Sequence, residues 1–534
     1  MSIREKTGSP EPGPASREEE LTHAEVKKRA VGGIAAIFVR QGVMRVIGFV
    51  STLVLARLLS PEIFGVFAVV QFVLTFFNQL SLNGITAALV RRKEMLTATD
   101  LGTGFLLQQM LTGVSMLLIL LVAPFAVRYY HLPDEDAWLF RAVALALFFS
   151  SFKVVPTITL QRALRFERVA MADILEQIIY VTTAAIMAYF KFGVWALVAA
   201  TCVRGAAGAL ILALMGGWGV ALRFDRPIAR EILRFAVPMQ VVNLTTLAYQ
   251  GVIPLMVGPI FGAGAVGVSS TARTLIEAFT LQPLTMISGI QLRLMARVQD
   301  DAAQLRRLMD SFIFFVGAVC FPLIAILSVF ASLWIPAMLS AKWAAMAPMF
   351  QALAPAYLLR MTAVPYSQAL KALGRTRIQV IATFANVAVL AGGFLLLSQW
   401  MGLSSYALAT VAGDFVFMIL MLLGLRDTIR VRSLTCLVGP TMATVLSLAF
   451  WMPAALSHLP SAVRAALTGA GILAYPMALI VLDGKRVAAY ARLCADSLGG
   501  RSPRFAAAFH SAAQRTERFA MADRFLGRSA RSAP

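Results

Sequence analysis

The sequence predicts an all-α polytopic membrane protein with about 14 transmembrane helices. Of its 534 residues, 59% are hydrophobic and only 14% charged, and the mean hydropathy is +0.76. Apolar segments of about 20 residues recur from end to end, each long enough as a helix to cross a hydrocarbon core of ~30 Å. This composition excludes an ordinary soluble enzyme, and no long polar insertion leaves room for a soluble catalytic domain.

In chain order, residues 1–30 are rich in Pro, Gly and Glu and lack a secretory signal, which predicts a disordered cytosolic tail. Spans are expected at 32–57, 62–85, 104–128, 138–156, 170–190, 193–215, 235–259, 265–291, 310–333, 345–370, 377–399, 403–425, 434–453 and 462–482. Loops that follow even-numbered spans are basic: Arg91, Arg92 and Lys93; Arg162, Arg165 and Arg168; Arg223 to Arg234; Arg293 to Arg307; Lys371, Arg375 and Arg377; Arg426, Arg430 and Arg432. The other loops hold few cations, so both termini are expected on the cytosolic side. The net charge of +21 is thus a topology signal, and no nucleic-acid partner is implied. After Asp483 a basic tail, 484–534, is expected on the anionic inner leaflet or simply in solution.

Four cysteines without paired spacing and four scattered histidines point to structural thiols, with no metal or other cofactor. Three catalytic patterns fail on context. Gly262-Ala-Gly264-Ala-Val-Gly267 spells a dinucleotide fingerprint but falls in a hairpin between apolar spans, so it reads as a turn. Asp134-Glu-Asp136 sits in a short external loop, and the glycosylation triplet at Asn243 lies inside a span.

A weak internal repeat relates 161–174 to 368–381, 193–201 to 402–410, and Gly65-Val66 to Gly267-Val268. The offset of roughly six spans describes parallel repeats, with a substrate site at their interface; chance similarity between Ala- and Leu-rich helices is the alternative. The resulting division is a six-helix lobe over 31–220, a second over 221–430, and two additional helices over 431–483.

Charges inside spans carry the functional signal, because a central Arg or Asp costs on the order of 2.5–3.5 kcal/mol to insert. Arg40 and Arg45 lie ~14 and ~20 Å along the first span. Arg204 falls in span six, Arg273 in span eight, Arg360 between Pro355 and Pro365 in span ten, and Lys153 near the cytosolic end of span four. Together these six cations describe an aqueous cavity that attracts anions, although each alone could be a snorkelling or ion-paired residue. Among the acids, Asp173 and Glu176 are expected at the cytosolic mouth, and Glu277 beside Arg273 on one helix. Asp414 is mid-span beside the repeat counterpart of Arg204, which suggests a breakable Arg204–Asp414 pair and a coupling role for Asp414, with Glu277 a second candidate.

The run LARLLSPEIFGVFAVVQFV, the Asn83-Gly84 break, the basic Arg91-Arg92-Lys93-Glu94 and QRALRFERVAMADI resemble the Wzx-type flippases, in the WzxC-like branch of the MOP exporter superfamily. The resemblance is specific to about residue 220 and continues by span pattern to about 430. It implies two six-helix lobes in a V-shaped, MATE-like arrangement plus two C-terminal helices. It further implies a polyprenyl-pyrophosphate-linked oligosaccharide as cargo in a bacterial inner membrane, with a polysaccharide polymerase and chain-length regulator as partners besides membrane lipids. Arg40 and Arg45 match the first-helix arginines of such cavities. A multidrug/cation antiporter of the same superfamily is the alternative, disfavoured by deep arginines. A polysaccharide polymerase or ligase would be an enzyme and would need a larger external loop.

Overall fold

Away from water, a chain of long apolar runs joined by short connections satisfies its backbone polar groups most readily as helices. The structure, a computed structural model, describes residues 23–81, 83–92, 94–217, 222–426, 435–455 and 459–498, together with 511, 514 and 516. Among the described residues every regular element is helical, and twelve spans are long and apolar enough to cross a membrane. The expected count of 14 is not reproduced by this measure. Met346–Ala372 has the length, but Arg360, Lys371, Ser367 and Gln368 lower its hydropathy, and the span expected at 265–291 is two helices broken at Thr280. The expected tail over 1–22, the loop cations Arg430 and Arg432, and most of the chain after Leu498 lie outside the described residues.

Two compact units divide the chain, Met1–Thr271 and Ala272–Pro534. The first contains α1 (His23–Leu58), α2 (Pro61–Ser81), α3 (Asn83–Arg91), α4 (Ala98–Tyr129), α5 (Ala137–Ser151), α6 (Val154–Arg162), α7 (Phe166–Tyr189), α8 (Trp195–Gly216), α9 (Arg226–Val252) and the start of α10 (Gly258–Phe279). α7 packs between α1 and α8, α5 between α4 and α8, and α9 against α3. The α3–α9 seam is tight, since a Cβ on Gly84 would collide with Ala236. That seam carries the first unit past the sequence-derived boundary at 220.

A π-helical turn, Ile253–Val257, joins α9 to α10. α10 breaks at Gly262, whose φ of +80° only glycine adopts without strain, so the GxGxxG stretch is a turn as its context suggested. Beyond the break, a Cβ on Gly267 would strike the Pro61 carbonyl, and one on Gly65 the Ala263 carbonyl. The two glycines paired by the repeat therefore meet each other, backbone to backbone.

The second unit contains the end of α10, α11 (Leu281–Arg297), α12 (Ala302–Val329), α13 (Ala331–Met338), α14 (Met346–Ala372), α15 (Thr376–Met401), α16 (Ser404–Leu425), α17 (Val438–Ala454) and α18 (Ser461–Leu498). α16 packs against α14 and α15, and α17 against α12 and α18, around a core that includes Met309, Ile313, Tyr366, Leu370 and Met421. The expected end of membrane structure at Asp483 is a kink, and α18 continues to Leu498.

The repeat is visible in helix ends. Leu164 takes φ +55°, and the N–H groups of Leu164 and Arg165 donate to the carbonyls of Gln161 and Leu160. Gly374 takes φ +71°, with Gly374 and Arg375 donating to Lys371 and Leu370, the same helix-terminating motif. In each unit an arginine then donates to the carbonyl end of the following helix pair, Arg168 to Met215 at 2.9 Å and Arg375 to Gly424 at 3.0 Å.

Candidate functional site

In the first unit the intramembrane charges gather on α7 and its neighbours. The expected span over 138–156 is broken between α5 and α6, and Lys153 stands at that break. Its Nζ donates to Glu176 Oε2 at 2.8 Å, and Arg204 Nε on α8 approaches the same oxygen at 3.8 Å. Glu176 is 2% exposed and fits against α8 because residue 208 is glycine; a Cβ there would collide with its carboxylate. The Arg204 guanidinium also lies over the Tyr180 ring, 5.9 Å from its centroid. One turn earlier on α7, Asp173 accepts a 2.6 Å hydrogen bond from Arg40 of α1. Arg45 lies further along α1, half-buried.

The interfacial role expected for Asp173 and Glu176 at the cytosolic mouth is corrected for Glu176, which is buried, while Asp173 stays about one-third exposed. They lie three residues apart, hence on one face of α7, and both pair with cations of other spans. Several of the cations that sequence suggested as a bare cationic lining carry a carboxylate partner.

The second unit has its own network. Arg273 Nε donates to Glu277 Oε1 at 2.9 Å, the same-helix pair that spacing predicts. Tyr357 of α14 adds a 3.0 Å hydrogen bond to that oxygen. On α14, Arg360 approaches Asp414 Oδ1 at 3.4 Å, and Asn386 Nδ2 of α15 donates to the same atom at 2.8 Å. Asp414 is 1% exposed. Its Oδ2 and the Asn386 Oδ1 are buried without a hydrogen-bond partner among the described residues. Arg204 and Asp414 each meet an oppositely charged group within their own unit. Sequence reasoning missed Asn386, Tyr357 and Tyr180. By place in its helix Asn386 on α15 corresponds to Glu176 on α7, but the alignment of 161–174 with 368–381 sets Thr383 opposite Glu176.

The basic connection after α3 serves a different purpose. Arg92 bonds Asp100 at 2.5 Å, and Arg162 donates to the backbone carbonyls of Arg92 and Glu94 at 2.7 and 2.8 Å. These cations tie loops together, while Arg91 stands exposed over the Phe235 ring.

A helical chain with ion-paired networks on its spans has counterparts in fold among solved transporters. The fold matches that of the lipid II flippase MurJ in an inward closed conformation at a TM-score of 0.65 and 12% identity, over 84% of this chain and 98% of that one. It matches an inward-facing multidrug resistance MATE transporter of the MOP superfamily at 0.57 and 15%, over 76% and 98%. At the sequence level the pattern of the polysaccharide biosynthesis protein family matches residues 54–348, and the chain belongs to that family. The lipopolysaccharide biosynthesis protein WzxC of Escherichia coli (strain K12) is 24% identical over 359 residues, 65% of this chain and 72% of that protein.

Proposed function

We propose that this protein flips a polyprenyl-pyrophosphate-linked oligosaccharide repeat unit across a bacterial cytoplasmic membrane for polysaccharide synthesis, with both termini cytosolic. The observation that carries the reading, beyond the family, is the charge inside the first unit. Arg40, Arg45, Lys153 and Arg204 stand against Asp173 and Glu176, a formal excess of positive charge among spans that would otherwise be neutral. A pyrophosphate crossing a low-dielectric region needs such an excess, and guanidinium groups bind it bidentately while staying ionised. Arg273 and Arg360 are assigned to anion binding by the second unit. The sugars occupy the aqueous part of the pyrophosphate's path, while the polyprenyl chain stays in lipid.

Asp414 and Glu277 are assigned to coupling. Two adjoining buried oxygens, on Asp414 and Asn386, without hydrogen-bond partners among the described residues favour gain of a proton or cation there. A polymerase and a chain-length regulator are the natural protein partners of such a step.

The test is mass spectrometry of lipid-linked sugars in a strain lacking the protein but retaining the upstream glycosyltransferases. A complete polyprenyl-pyrophosphate repeat unit should build up, be cleared by wild type, persist with Arg45→Ala and be partly cleared with Arg45→Lys. Clearance by Arg45→Ala would remove that residue from the mechanism, and no build-up would sink the flippase reading.

A further inference from the structure

Helix α3 separates two cavities in the first unit, and they differ in charge. One, of about 630 Å³, is lined by Arg91, Arg92 and Arg234 but also by Glu94 and Glu231, which approach Arg92 at 3.2 and 3.6 Å. The other, of about 570 Å³, lies between α3, α5 and α6. Its polar lining is Thr86, Arg91, Ser150, Lys153, Thr157 and Gln161, with no acid among the described lining residues. Two cations with three hydroxyls and an amide form a donor set for a phosphate carrying sugar, and the volume suits a ligand of that size.

Arg91 is prepared for this role. Its guanidinium stacks on the Phe235 ring, 4.8 Å from the centroid. Stacking uses the face of the group and leaves the N–H edge for an oxyanion. Among the described residues no carboxylate pairs with it. Lys153 links the cavity to the deeper network, because the ammonium that lines it also bonds Glu176, which in turn meets Arg204.

We propose that this cavity is a loading subsite for the pyrophosphate end of the cargo. Arg91 and Thr157 bind the incoming anion, and Lys153 shares its donors between that anion and Glu176, which loosens the Lys153–Glu176 bond and leaves Glu176 freer to hold Arg204. The proposal rests on the flippase reading above for the identity of the cargo. The chemistry alone fits any phosphate, including a phospholipid headgroup.

The experiment titrates the purified full chain, in phosphatidylcholine nanodiscs, with inorganic pyrophosphate, and compares Arg91→Ala, Arg91→Lys and Thr157→Val. Arg91→Ala should weaken binding about tenfold, the effect of losing one charge-assisted hydrogen bond. Arg91→Lys should fall between it and wild type, and Thr157→Val should lose about threefold. Thermal unfolding of each variant separates a binding defect from a folding defect. Wild-type binding by a folded Arg91→Ala together with Thr157→Val would overturn the subsite. Equal displacement of pyrophosphate by added phosphatidylglycerol would overturn the cargo assignment in favour of a headgroup. In a reconstituted flipping assay, Arg91→Ala should raise the half-saturating cargo concentration while the maximal rate is kept. Failure of wild type to flip would overturn the flippase reading instead, and the pyrophosphate titration would still decide the subsite.

Discussion

The two units carry charge networks at matching places on matching helices, yet with opposite arrangements. Glu176 and Asn386 are each the eleventh residue of their helices, α7 and α15. In the first unit that place holds the carboxylate, with Lys153 and Arg204 on either side. In the second it holds an amide, and the carboxylate has moved to Asp414 on the adjacent helix, facing Arg360. The reason is steric. The place on α8 that corresponds to Asp414 is Gly205, where a Cβ would lie 2.9 Å from the Ala146 carbonyl. α5 and α8 approach too closely there for any side chain, so the first unit's acid can only sit on α7. One scaffold thus yields a network with excess positive charge and one that is balanced.

This comparison can be broken most severely at Glu176. Glu176→Ala leaves the partly exposed Lys153 and Arg204 without their shared carboxylate, and should cost about 4 kcal/mol, the middle of the range for stripping one partner from a buried pair. Asp414→Ala strips only Arg360 and should cost about 3 kcal/mol; thermal unfolding in detergent should rank the two in that order. An attempt to convert the first unit into the second, Glu176→Asn with Gly205→Asp, should recover none of the stability lost by Glu176→Asn alone. Recovery would show that α5 and α8 can separate and would dismiss the steric account.

Smaller effects sharpen the contrast. The Arg40–Asp173 pair is about one-third exposed on both sides, so its coupling in a double-mutant cycle should be about 1 kcal/mol. The Arg273–Glu277 pair, on one helix, should couple by about 0.5 kcal/mol. In flipping assays the order should differ from that in unfolding. Arg40→Ala should reduce transport far more than stability, whereas Asp414→Asn should keep most of the stability and lose dependence on the ion gradient.

Much of this protein was legible in one dimension. The apolar runs announced the spans, and the residue types inside them named the charges that matter. What the residues do with those charges was not legible. Asp173 and Glu176 read as interfacial residues when only their place along α7 is counted. Their partners come from α1, from α8 and from the break at Lys153, none of which is visible in local spacing. Among the candidate site residues, Arg273–Glu277 could be paired from sequence because that pair lies within one helix.

The sequence by itself determined the membrane-spanning helical class and the set of charges inside the apolar runs, since hydropathy is a property of a line of residues. The tertiary structure decided which charges neutralise one another, where a span breaks to present a lysine, and that Arg91 borders a cavity with no acid among its described lining residues. Those outcomes depend on how closely helices approach, and that distance is set by glycines such as Gly205 and Gly208 meeting groups far away in the chain.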